Sequence, residues 1–263
     1  MLSIGKELNP EQRLAKAVVS IMGKAPALAG VLMIGTRVVE HDNAKVPTAC
    51  TNGRDEWYGA GFVDGLNDAE FRGLVLHENY HKLYRHLTTW QHLNKIDPDL
   101  ANRAMDYVIN IKIMDEYGQD GWVKLPEGGC FDEKYRGWDT AQVFNDLRDN
   151  EPQGEDGRGS GDDDVTGDDP NQGFDSHDWE GATEMDAEEI RDLARDIDEA
   201  VRQGALIAGK MGSGGDRNLE ELMQPQIDWR ETLREFVHTT CAGNDYSTWK
   251  RPNRRYIGAG IYM

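Results

Sequence analysis

His77-Glu78-Asn79-Tyr80-His81 carries the residue types of metal-assisted hydrolysis at the spacing that chemistry requires. Residues four apart on an α-helix share a face, so both imidazoles can reach one small cation while Glu78 sits on the flank of that face. In this H-E-x-x-H pattern two neutral imidazoles bind zinc. The glutamate is not a ligand and takes a proton from the water that zinc acidifies. A catalytic zinc also needs a third protein ligand and one open position. Asp106 is the downstream candidate, because Asn102, Asp106 and Asn110 recur at four-residue steps as a polar stripe bordered by Ala101, Met105, Val108, Ile109 and Ile113. A buried carboxylate there is costly unless it is paired, hydrogen-bonded or metal-bound, and the two asparagines are its expected holders. Two plainer readings stand beside this one: an amphipathic helix with two satisfied histidines, and a carboxylate held by the asparagines or by Arg103. His86 and His92 fall off the metal-facing edge and read as surface residues or ordinary packing.

These groups need helices to hold them, and the flanking sequence supplies both. Asn67 with Glu70 three residues on forms a capping box, and Leu76, Tyr80, Leu83, Leu87 and Trp90 continue at helical spacing, so the run Phe71 to Leu93 is expected to be one buried helix. Asp97-Pro98 starts a second helix running to about Tyr117. Upstream, Asn9, Pro10 and Gln12 cap a first helix through about residue 23. Gly30 to Glu40, rich in β-branched residues, reads as a strand, with short strands at Val46 to Cys50 and Glu56 to Tyr58 completing a small meander. The edge of such a sheet offers a place for an extended substrate peptide.

Beyond the second helix, Leu125 to Cys130 is irregular and expected to line a cleft, and Asp139 caps a short helix from Thr140 to Leu147. From 149 to 176 the chain is Gly, Asp and Glu with almost nothing to bury, which predicts a flexible acidic loop. The loop lacks the spacing of a calcium-binding hand. It separates a core, 1–148, from a helical C-terminal part of the same domain, 177–263. His177 closes the loop beside Asp178 and Trp179. Ordering an imidazole after a flexible loop costs entropy, so His177 is expected to donate to the oxyanion of a transition state and not to bind metal. Asp186 and Glu189 start a long amphipathic helix that Gly204 to Gly215 loosens. Asp228 and Glu231 start a last helix, and Trp249 to Arg255 is a basic, extended tail.

The chain has 263 residues and a formal charge of -19, which argues against a nucleic-acid surface. Cys50, Cys130 and Cys241 are three scattered cysteines without C-x-x-C spacing, so neither a disulfide framework nor a thiolate zinc site is indicated. Lys16, Lys24 and Arg37 interrupt the apolar stretches near the start, leaving no signal-peptide core and no membrane span. A reducing, cytoplasmic setting is expected.

The sequence resembles the bacterial and phage metallopeptidase-like proteins in which an H-E-x-x-H domain is followed by a von Willebrand factor A-like domain. The resemblance rests on Leu76-His77-Glu78-x-x-His81, Ala104-x-Asp106-Tyr107-x-Ile109-Asn110, Asp178-Trp179, Ile227-Asp228-Trp229-Arg230 and Arg251-Pro252-Asn253-Arg254-Arg255. It implies a zincin-like fold and one zinc, with His77, His81 and Asp106 as ligands and Glu78 as base. Relatives continue into the adhesion-type domain where this chain stops at Met263, so a shorter protein or a truncated piece is expected. The fold class is α+β, mainly helical, with a small N-terminal sheet. The expected activity is hydrolysis of a peptide or protein substrate. The non-enzymatic alternative is a zinc-stabilised module working with an ATPase or a von Willebrand factor A-like partner.

Overall fold

The structure is a computed structural model and describes residues 8–150 and 177–211. It opens with α1 (Pro10–Lys24), whose start is fixed locally: the Asn9 side chain accepts from Gln12 N and the Gln12 side chain accepts from Asn9 N. Such reciprocal caps each contribute about 1 kcal/mol. A 3-10 turn, Pro26–Leu28, leads into α2 (Ala29–Leu32).

Three short strands follow, β1 (Arg37–Glu40), β2 (Ala49–Thr51) and β3 (Glu56–Gly59), in the order β1-β3-β2. β3 pairs parallel with β1 and antiparallel with β2. Two sequence expectations fail here. The run from Gly30 is helical as far as Leu32 and only its last four residues form a strand, because the chain turns to pack beneath a later helix. The sheet is also not a meander, since β3 inserts between its two predecessors.

After α3 (Ala60–Gly65), the metal-motif helix α4 spans Asp68–Leu83, with the Asn67 and Glu70 capping box intact. Every residue from Gly73 to Leu83 is buried. The expected single helix to Leu93 is interrupted: Arg85 adopts the left-handed conformation, φ 52° and ψ 40°, and the chain restarts as α5 (His86–Thr89) and α6 (Gln91–Asn94). Helical periodicity survives the break because Leu87 and Leu93 still point inward.

α7 (Pro98–Tyr117) is the second long buried helix, capped by the Asp97 side chain on Leu100 N. Its apolar residues divide between two cores. Ile109, Ile113 and Tyr117 join the main core of α1, α2, α4 and the sheet, whereas Leu100, Ala104, Tyr107, Val108 and Ile111 pack with Tyr135, Val143 and Phe144. The last two belong to α8 (Thr140–Asn150). Asp106 and Asn110, both fully buried, occupy what remains of the circumference.

The chain returns at 177. Asp178 N donates to Thr51 O at the end of β2, and the Asp178 side chain caps α9 (Trp179–Glu184), which packs on α5. α10 (Ala187–Met211) then runs unbroken through Gly204, where a loosened helix was expected, and lies against the 3-10 turn and α2. The close approach has a sequence cause: a Cβ on Gly30 would stand 2.7 Å from the Ala200 carbonyl oxygen. The architecture is therefore α+β, mainly helical, with one small sheet. No single helix among the described residues is long and apolar enough to cross a membrane. The acidic loop beyond Asn150, the helix expected from Asp228, the basic tail and Cys241 lie outside the described residues.

Candidate metal centre

α4 packs across α7, and the crossing brings together the three residues singled out as ligands. His77 and His81 approach Nε2 to Nε2 at 3.1 Å, and Asp106 Oδ1 lies 3.5 Å from His77 Nε2 and 3.3 Å from His81 Nε2. The three residues are fully buried and form the cluster of metal-ligating types found among the described residues. Their donor atoms make a nearly equilateral triangle. Four ligands at about 2.0–2.1 Å around a tetrahedral zinc stand about 3.3 Å apart, so the triangle is one face of such a tetrahedron. Two imidazoles and a carboxylate are also the donor set of many catalytic zinc sites. The residues present fit a zinc ion.

Successive helix residues are rotated by about 100°, which puts Glu78 on the flank of α4 between the histidine face and the face of Asn79 and Lys82. Glu78 is fully buried and close enough to Tyr58 that its charge helps hold the Tyr58 phenol protonated, after burial and Glu56. The Asn79 and Lys82 face meets the sheet. Lys82 Nζ donates to Glu56 Oε1 at 2.6 Å and to Ile34 O at 2.7 Å, while Glu56 Oε2 accepts from the Tyr58 hydroxyl at 2.6 Å and from Asn79 Nδ2 at 3.3 Å. Sequence reasoning missed this buried network. Its only linear trace is a charged residue at the start of a strand, which is ordinary.

Two more histidines complete the cluster. His86, expected on the surface or in ordinary packing, is buried with Nδ1 3.2 Å from His81 Nδ1. The left-handed turn at Arg85 folds it back beneath α4. Burial, with the nearby charges of His177, His77 and Lys112, pushes the His86 imidazole down to about 3. Burial, reinforced by His177, His77 and His86, likewise drives His81 well below its usual range, so both rings are neutral near neutral pH. His177 stacks edge-on to His81 with ring centres 3.9 Å apart and lines an outer cleft of about 370 Å³ with Cys50 and Trp57. His92 is exposed, as expected.

Asn110 behaves differently from expectation. Asn110 turns to the histidine and not to Asp106: its Oδ1 stands 2.8 Å from His77 Nδ1, and its Nδ2 donates to Cys130 O at 3.0 Å. The irregular segment before Cys130 thus serves the site as backbone, shaped by a turn in which Gly128 takes φ 85° and Gly129 N donates to Pro126 O.

A family model described as a putative metallopeptidase domain matches residues 9–262, and the chain belongs to that family. No curated protein and no solved structure matches it.

Proposed function

We propose that this protein is a zinc peptidase in which His77, His81 and Asp106 hold the metal and Glu78 is the general base. The observation that carries the reading is the triangle of donor atoms, 3.1, 3.3 and 3.5 Å on a side, built from two crossing helices beside a buried glutamate. A bound zinc supplies a water acidic near neutral pH and polarises the scissile carbonyl. Glu78 accepts the proton of the attacking water and returns it to the leaving amine. His177, at the cleft side of His81, donates to the developing oxyanion. The substrate is a peptide or protein.

The test is Glu78→Gln in the full chain, incubated with a mixed peptide library and read by mass spectrometry. The parent cleaves and the variant does not, while both hold the same zinc by elemental analysis, because an amide cannot take the proton. Cleavage by Glu78→Gln at the parental rate would remove Glu78 from the chemistry.

One observation favours a second reading. His77, Glu78, His81 and Asp106 are all fully shielded from solvent, as suits a zinc that stabilises an interaction module. A parent that binds zinc with four protein ligands and cleaves nothing would establish that alternative, and an ATPase or a von Willebrand factor A-like partner would then be sought.

A further inference from the structure

A histidine can bind a cation only through a nitrogen that carries no proton, so a metal site built from imidazoles depends on which ring nitrogen is protonated. At His77 the answer follows from atoms two residues away. The Cys130 carbonyl can only accept a hydrogen bond, so the Asn110 amide must turn its NH2 toward it, at 3.0 Å. That leaves the Asn110 carbonyl oxygen facing His77 Nδ1 at 2.8 Å, and two acceptors cannot meet there. Nδ1 therefore carries the proton. Nε2, the nitrogen that faces His81 and Asp106, carries the lone pair.

We infer that Asn110 is a positioning residue that locks the His77 tautomer for metal capture, with its own direction set by the Cys130 carbonyl. The proposal rests on the His77, His81 and Asp106 reading of the metal site and is independent of peptidase activity. α7 then has two duties toward one ion: Asp106 is a ligand, and Asn110, one turn later, orients a ligand that belongs to α4. Both side chains are fully buried, which removes the water that would otherwise offer His77 Nδ1 a donor. The lock also sets the order of the metal-free cluster. With His77 Nε2 an acceptor, His81 Nε2 is the donor across their 3.1 Å contact, and His81 Nδ1 accepts from His86 Nδ1 at 3.2 Å. The hydrogen bonds all point from His86, which lines a cleft of about 460 Å³, toward the Cys130 carbonyl.

The experiment uses the full chain, metal-free, with 15N-labelled histidine. Two-bond proton–nitrogen correlation spectra read the tautomer of each ring, with the His77 signal assigned by its loss in His77→Gln. Zinc affinity is measured in parallel by competition with a chelating dye. The parent is expected to show His77 protonated at Nδ1. Asn110→Ala is expected to release that preference and to weaken zinc binding by about 10–100-fold. Asn110→Asp, which keeps an acceptor at His77 while losing the donor to Cys130 O, is expected to retain the Nδ1 proton and to bind zinc more tightly than Asn110→Ala. A zinc-binding parent whose His77 carries its proton at Nε2 overturns the proposal by itself, whatever the fate of the variants, and leaves the metal-site reading standing. Asn110→Ala that folds, keeps the Nδ1 proton and binds zinc within threefold of the parent also overturns it. A parent that takes up no zinc overturns the reading on which the proposal rests.

Discussion

Glu56 on β3 and Lys82 on α4 meet at 2.6 Å with both side chains fully buried, one residue along the helix from the proposed ligand His81. The pair fastens the sheet to the flank of the metal helix. Burying two charges is costly, and here the cost is offset by the additional partners Ile34 O, Tyr58 and Asn79. Removing Lys82 takes the close partner from a buried carboxylate and leaves it only the more distant Arg37, whose Nε lies 3.6 Å from Glu56 Oε2. Lys82→Met is therefore expected to destabilise the fold by about 3–5 kcal/mol, and Glu56→Leu combined with Lys82→Met to cost less than Lys82→Met alone. Urea denaturation of the parent and the two variants measures this. A double variant less stable than the single one would show that the pair is not the unit at work.

Asp106→Ala and His177→Ala are expected to separate ligand from neighbour. Losing Asp106 should weaken zinc binding by about tenfold or more. His177→Ala should leave zinc content at the parental level and lower turnover only, since His177 approaches the cluster through the ring of His81. Elemental analysis after gel filtration reads both. Loss of zinc from His177→Ala with retention in Asp106→Ala would exchange the two assignments.

Arg85 holds a left-handed backbone that favours glycine, and its guanidinium donates to Ala194 O at 3.0 Å and pairs with Asp198 on α10. Arg85→Ala loses the tether and keeps the strained backbone. Arg85→Gly loses the tether and relieves the strain, so it should be more stable than Arg85→Ala by about 1 kcal/mol. Equal thermal midpoints for the two would contradict a left-handed residue at this position in solution.

Acid should destabilise the metal-free protein through its buried imidazoles. In the unfolded chain a histidine takes up a proton near pH 6.5. In the folded protein His86 resists until about 3, and His81 is also lowered. Between those limits the unfolded state binds more protons, so stability is full above the unfolded value and falls with pH below it. The slope is about 1.4 kcal/mol per pH unit for each such group. Urea midpoints between pH 7.5 and 5 measure the effect, and a flat profile would mean that these rings are protonated or solvated in the fold.

What the sequence made legible was local. The capping boxes at Asn9 and Asn67, the helix from Pro98 and the four-residue spacing of His77 and His81 each depend on residues within a turn or two of one another, and each appears in the structure. What was hidden depends on distant partners. Gly30 to Leu32 has strand composition yet becomes helix because α10 presses on it. Phe71 to Leu93 keeps a helical period across a break made by a single left-handed residue. His86 looked peripheral because helical geometry alone carries it away from the metal face, and Asn110 looked like a partner of Asp106 because both share one helix. The parallel pairing of β1 with β3 has no short-range signal at all.

The tether from Arg85 to α10 also places the centre in time. At roughly 5–20 residues per second, the His77 to His81 turn is synthesised on the order of ten seconds before Ala194 and Asp198 exist to hold the turn that returns His86. Asp106 is made early in that interval, so all three residues of the His77, His81 and Asp106 triangle exist before the tether that seats His86. What the completed chain adds to that triangle is the buried packing of His86 against His81, a contact that waits for α10.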